Sequence, residues 1–151
     1  MVAAALSWEG ARYELGQHLK GVACDCGTFL VECMVEAGKI TREEADRFYA
    51  EIGYYSHDWF CHTNVQRYLL AMARFGKAIY EGRCYASVRT DPGNIVLTKA
   101  VSLTHWTHGG IVVQWPYIMH CNYPAVEKVD ASRDPMWANQ ALTIFDPFAH
   151  V

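Results

Sequence analysis

The sequence has no long apolar run, no excess of basic residues, no internal repeat and no low-complexity tract. Its apolar stretches fall far short of a bilayer span, so no membrane-spanning helix is expected. Thirteen basic against sixteen acidic residues give a formal charge of -3. Without a basic face, no nucleic-acid partner is expected. The opening MVAAALSWEG has no basic n-region and too short an apolar stretch, so no signal peptide is expected. The HExxH motif is absent, and none of His105-x-x-His108, Cys24-x-Cys26 and Cys61-His62 has the usual spacing of a structural zinc site. Metal sets can still be assembled on paper from His105, His108, Cys24 and Cys26, or from Cys61 and His62. They compete weakly with the reading below, which needs no metal and no cofactor.

What is present is the composition of a folded domain. The 151 residues are 52% hydrophobic and 19% charged, enough for one core and too short for two domains. Six cysteines, at 24, 26, 33, 61, 84 and 121, do not follow a secreted disulfide framework. Cys33 and Cys121 sit in apolar patterns, and Cys24 and Cys26 are too close for an easy bridge. Mostly free thiols and synthesis in a reducing cytoplasm are expected.

The chain divides by pattern near residue 90. Before it, Cys26, Phe29, Leu30, Cys33, Met34 and Ala37 follow a helical period, with Glu32 and Glu36 on the other side. Asp25 stands as the N-cap of this helix and Gly38 as its C′ glycine. Residues 2–10 form a short helix in this reading, and 14–24 a loop. Thr41 with Glu44, and Thr63 with Gln66, fit capping boxes that open two further helices. After the turn at Asp91-Pro92-Gly93-Asn94 come β-branched runs at 95–98, 109–115, 117–123 and 141–145. Helices first and strands last predict an α+β fold, with N-terminal helices packed on a C-terminal antiparallel sheet.

The chemistry starts at Cys26. A thiol at a helix N-terminus meets unpaired N–H groups and a partial positive charge, which favour the thiolate and offer an oxyanion hole. The alternative is a small apolar residue in the stripe. A catalytic cysteine needs a base distant in sequence. His108 stands at the head of a predicted strand and His120 lies twelve residues later in the next. A tight turn between them brings the two imidazoles together, giving nucleophile, base and orienter. His120 alone also reads as a satisfied core histidine, and His105 is the reserve base.

These residues, taken together, resemble the NlpC-type cysteine peptidases of bacterial cell walls. The matching pieces are Gly10-Ala11-Arg12-Tyr13, the approach Gly21-Val22-Ala23-Cys24-Asp25-Cys26 with its helix, and Pro92-Gly93-Asn94 before a strand. His108-Gly109-Gly110-Ile111 and Ile118-Met119-His120-Cys121 complete the set, over about residues 5–130. The resemblance implies a papain-like fold spanning residues 1–151, with an aromatic helical insert at about 41–90. It implies Cys26 as nucleophile, His108 as base, His120 as third polar residue, and Tyr13 and Asp25 lining the oxyanion and substrate site. The implied activity is hydrolysis of peptidoglycan stem peptides in bacteria. The long insert is similar to the branch found in tailed bacteriophages, which implies a place in the virion tail tip and tail-tip or hub proteins as partners.

The chain departs from the family in Gly27-Thr28 after the cysteine, in Asn94, and in Gln17, His18 and Lys20 before the cysteine. These departures bear on substrate preference. Two other readings share the residues. One is a structural tail-tip protein with a vestigial site, its partner surface built from Tyr54, Tyr55, Trp59 and Phe60. The other is an acyltransferase or deamidase, which only product analysis separates from hydrolysis.

Overall fold

The helix that carries Cys26 forms where the apolar period places it. The structure, a computed structural model, describes residues 1–149. In it α2 spans Cys26–Glu36, with Phe29, Leu30, Cys33 and Met34 fully buried. Asp25 caps it through Gly27 and Thr28, and Gly38 takes the positive φ of 69° that ends it. Around it lie α1 (Val2–Ser7) and α3 (Arg42–Ile52), the latter opened by the Thr41–Glu44 capping box. The second expected box does not form. Thr63 Oγ1 accepts from Val65 N, and α4 (Arg67–Phe75) begins only after Gln66 without a side-chain cap.

The strands are β1 (Arg12–Tyr13), β2 (His18–Leu19), β3 (Ala23–Cys24), β4 (Lys77–Arg83), β5 (Ile95–Thr98), β6 (His108–Gln114), β7 (Tyr117–Asn122), β8 (Ala125–Asp130) and β9 (Ala141–Asp146). They make one nine-stranded sheet in the order β2-β3-β1-β8-β7-β6-β5-β9-β4. This corrects the expected arrangement of N-terminal helices packed on a C-terminal antiparallel sheet. The sheet is mixed, because β1 and β3 pair in parallel, and it recruits four strands from the half read as helices and loop. Helix accounts for 27% of the chain and strand for 28%, so a large sheet with few short helices is the dominant element.

The physical reason lies in strand length. Strands of two residues carry no alternation for a pattern to show, so residues 14–24 read as a loop and the pairing at 12–13 gives no signal. The insert is likewise helical only as far as Phe75. Its β4 runs antiparallel to β9 at the far edge of the sheet.

Alternation along the central strands builds two cores. Ile95, Leu97, Ile111 and Met119 belong to the cluster with Trp8, Phe29 and Leu30 under the helices. Val96, Val112, Ile118, Leu142 and Ile144 pack with Trp137, from the connection between β8 and β9, in a second cluster. The sheet is therefore covered on both faces, which suits its near-continuous apolar strands.

Candidate active site

A cleft of about 710 Å³ brings Cys26, Thr107 and His108 together with Cys121 and Asn122. It crosses the end of the sheet where β6 begins and β7 finishes. Tyr13 and Asp25 line it as well, so four of the five residues singled out for the site reach one cavity, His120 being the exception. His120 lies behind His108 and is fully buried.

The register explains why the two imidazoles meet. Gly110 on β6 pairs with His120 on β7, which makes His108 the diagonal neighbour of His120 on the same face. His108 Nε2 and His120 Nδ1 are 2.8 Å apart. The indole N–H of Trp137 donates to the same Nδ1 at 3.2 Å, and Glu127 Oε1 stands 3.3 Å from His120 Nε2. The Nε2 of His108 is thus engaged from behind, and His108 is a wall of the cleft that holds Cys26.

Asp25 works as a strut. Its Oδ1 accepts from Gly27 N at 2.9 Å and Thr28 N at 2.8 Å. Its Oδ2 accepts from Gly16 N at 2.7 Å and from the Tyr55 hydroxyl. Four donors occupy both oxygens of a carboxyl group that is 2% exposed, so Asp25 ties helix, preceding loop and insert together. An N-cap alone is worth about 1 kcal/mol.

The thiol is not held as a thiolate. Cys26 Sγ pairs with the Tyr68 hydroxyl at 2.7 Å, and the Thr107 carbonyl oxygen is 3.9 Å away. Burial, then the Asp25 charge, push its pKa up to about 12, against hydrogen bonds from Tyr68 and the first backbone N–H groups of the helix. The helix terminus acts in the anticipated direction, but desolvation outweighs it. His108 is held well below the usual histidine range by burial and then by His120. His120 is lowered by burial, with Glu127 opposing. At neutral pH the resting site thus holds a thiol and neutral imidazoles.

Tyr13 lines the cleft but its hydroxyl meets His57 Nδ1 at 3.3 Å, with the rings stacked 5.8 Å apart. The hydroxyl at the sulfur is that of Tyr68, from the insert. Tyr68, Tyr55, His57, Glu127 and Trp137 are the site residues that sequence reasoning missed. Tyr68 sits in the apolar spacing of α4 and reads there as core, so no local signal marks it. Tyr55, Trp59 and Phe60, the partner surface of the structural reading, line the cleft, while Tyr54 is 94% exposed.

His105 is not placed as a base. Its Nε2 pairs with the Thr63 carbonyl at 2.8 Å and its Nδ1 with Thr104 Oγ1 at 2.8 Å, beside Trp59 and Phe60. Cys24 is fully buried, and its carbonyl accepts from the Cys121 thiol at 3.3 Å. All six cysteines are free. Among the described residues, no group of three or more His, Cys, Asp or Glu side chains is arranged to hold a metal ion, and no helix is long and apolar enough to cross a membrane.

No protein-family model matches this chain, and no curated protein matches it. The function therefore has to be argued from the site.

Proposed function

We propose that the protein is a cysteine peptidase or amidase acting by acyl transfer to water. The observation that carries this reading is one cleft holding a thiol at a helix N-terminus and an imidazole whose Nε2 is engaged by a second imidazole. In the reaction the Sγ–H proton passes to His108 Nδ1 as sulfur attacks the amide carbonyl. Because thiol and imidazole are both neutral at rest, this transfer accompanies attack rather than preceding it. The Cys26 N–H and the Tyr68 hydroxyl are donors at the sulfur that can serve the developing oxyanion. His108 then protonates the leaving amine and activates the water that releases the acyl group.

The substrate class rests on the resemblance to NlpC-type enzymes: peptide stems of bacterial peptidoglycan. A place in a phage tail tip rests on the same ground. The aromatic insert supports the enzymatic reading over a purely structural one, because Tyr55, Trp59 and Phe60 face the cleft. The test is digestion of purified wall peptides read by mass spectrometry. Wild type should release new amino and carboxyl termini, and Cys26→Ala should release none while keeping its fold. Cleavage retained in Cys26→Ala overturns the assignment.

A further inference from the structure

We infer that Trp137 and Glu127 lock the tautomers of the two histidines, so that the proton-accepting nitrogen of His108 faces Cys26 before any substrate arrives. The inference deepens the peptidase reading and rests on it for the direction of proton flow.

An indole N–H can only donate. It is aimed at His120 Nδ1 at 3.2 Å, so that nitrogen must present a lone pair. His108 Nε2 lies 2.8 Å from the same atom. Two lone pairs at that distance would repel, so His108 Nε2 must carry a hydrogen and donate it. A neutral His108 with its hydrogen on Nε2 has a bare Nδ1, on a ring that lines the cleft with Cys26. On the other ring, the hydrogen of a neutral His120 sits on Nε2, where Glu127 Oε1 accepts it at 3.3 Å. Each proton position follows from its neighbour, and the chain of inference begins at the one group with no choice of role.

The arrangement favours the reaction step. When the Sγ–H bond breaks, the electron pair stays on sulfur and the proton bonds to His108 Nδ1. The resulting imidazolium still donates from Nε2 into His120 Nδ1, while the Glu127 carboxylate polarises His120 from its far side. Trp137 opposes a second proton on His120, so the charge stays on the ring next to the thiol. Other charged or titratable groups face this pair: Cys26, Glu14, Asp25, His57 and Asp58 line the cleft with His108, and Asp134 lies in the connection that carries Trp137. Trp137, Glu127 and His120 are positioning residues, because they act through His108.

The test is a long-range ¹H–¹⁵N correlation spectrum of the full chain labelled on histidine, at neutral pH. Both rings should appear as single neutral tautomers with hydrogen on Nε2. His120 carrying its hydrogen on Nδ1 overturns the inference. Trp137→Phe keeps a ring and removes the donor, and should give His120 a mixture of both tautomers. An unchanged single tautomer in that variant overturns the role of Trp137.

Trp137 is fully buried, so a second variant guards against misfolding. Glu127→Gln, at a half-exposed side chain, should keep the tautomers and lower the titration midpoint of His108. An unmoved midpoint overturns the role of Glu127. None of these spectra needs a substrate. Locked tautomers in a chain that cuts no wall peptide would refute the peptidase reading alone. Cutting with His120 protonated on Nδ1 would refute the lock alone.

Discussion

At the residue scale the sulfur of Cys26 is governed by two neighbours of opposite effect. Asp25 raises the thiol pKa by its charge, and the Tyr68 hydroxyl lowers it by a hydrogen bond. Asp25→Asn should therefore move the alkylation midpoint of Cys26 below about 12, and Tyr68→Phe should move it higher. The measurement is the rate of iodoacetamide labelling against pH, resolved by peptide mass because the exposed Cys61 reacts too. Shifts of the same sign in both variants would refute this account. Asp25→Asn also turns an amide NH₂ toward Gly16 N or the helix end, leaving a buried donor unpaired. Its urea midpoint should fall by an amount equivalent to about 1–3 kcal/mol.

Cys26, His108 and His120 were legible because each stands at a recognisable place, a helix cap, a strand head and the facing strand. Tyr68 and Trp137 were not legible. Their roles come from contacts across 42 and 17 residues of sequence, which no local pattern encodes.

At the scale of elements, the site depends on how closely β6 approaches α2. A Cβ built at Gly109 would lie 2.6 Å from Leu30 Cδ1 and 2.9 Å from Leu97 Cδ2. Both leucines are fully buried, so neither end has free space to move into. The glycine allows the strand that begins with His108 to press against the helix that begins with Cys26. Gly109→Ala should destabilise the fold by about 1–3 kcal/mol through overpacking, read as a lower urea midpoint with unchanged slope. A midpoint equal to wild type would mean that the helix and strand are less tightly apposed than the structure has them.

The elements themselves were legible where the period was long. The eleven residues of α2 show three turns of apolar spacing, and the runs that became β5, β6, β7 and β9 are rich in β-branched residues. β1, β2 and β3 were not legible, because each has two residues and forms by pairing with a neighbour rather than by its own pattern. The Thr63 box shows the converse. A capping sequence was present, but the chain from Ser56 to Val65 is held by other contacts, including His105 on the Thr63 carbonyl, and the helix starts later.

At the scale of the whole molecule, the overturned expectation and the insert belong together. The insert closes the cleft from one side with Tyr55, Trp59 and Tyr68, and its β4 ends the sheet on the other. Division near residue 90 into helices and strands failed because the sheet draws on both halves. The same closure shapes the field at the sulfur. Glu14, Asp25 and Asp58 line the cleft and no lysine or arginine does, in a chain of formal charge -3. His108, held well below the usual histidine range by burial, does not offset that sign. Focused fields of this kind change the local concentration of charged reagents and weaken as salt shortens the Debye length. Iodoacetate should therefore label Cys26 more slowly than neutral iodoacetamide, beyond their intrinsic difference on a free thiol, and the gap should narrow as salt rises toward 1 M. In papain-like ion-pair chemistry an imidazolium beside the sulfur would attract iodoacetate and reverse that order. The ratio of the two rates thus reports whether the resting site holds neutral partners, the state favoured by the raised Cys26 and lowered His108 pKa values, or a preformed ion pair. A ratio that favours iodoacetate and collapses in salt would overturn the neutral resting state.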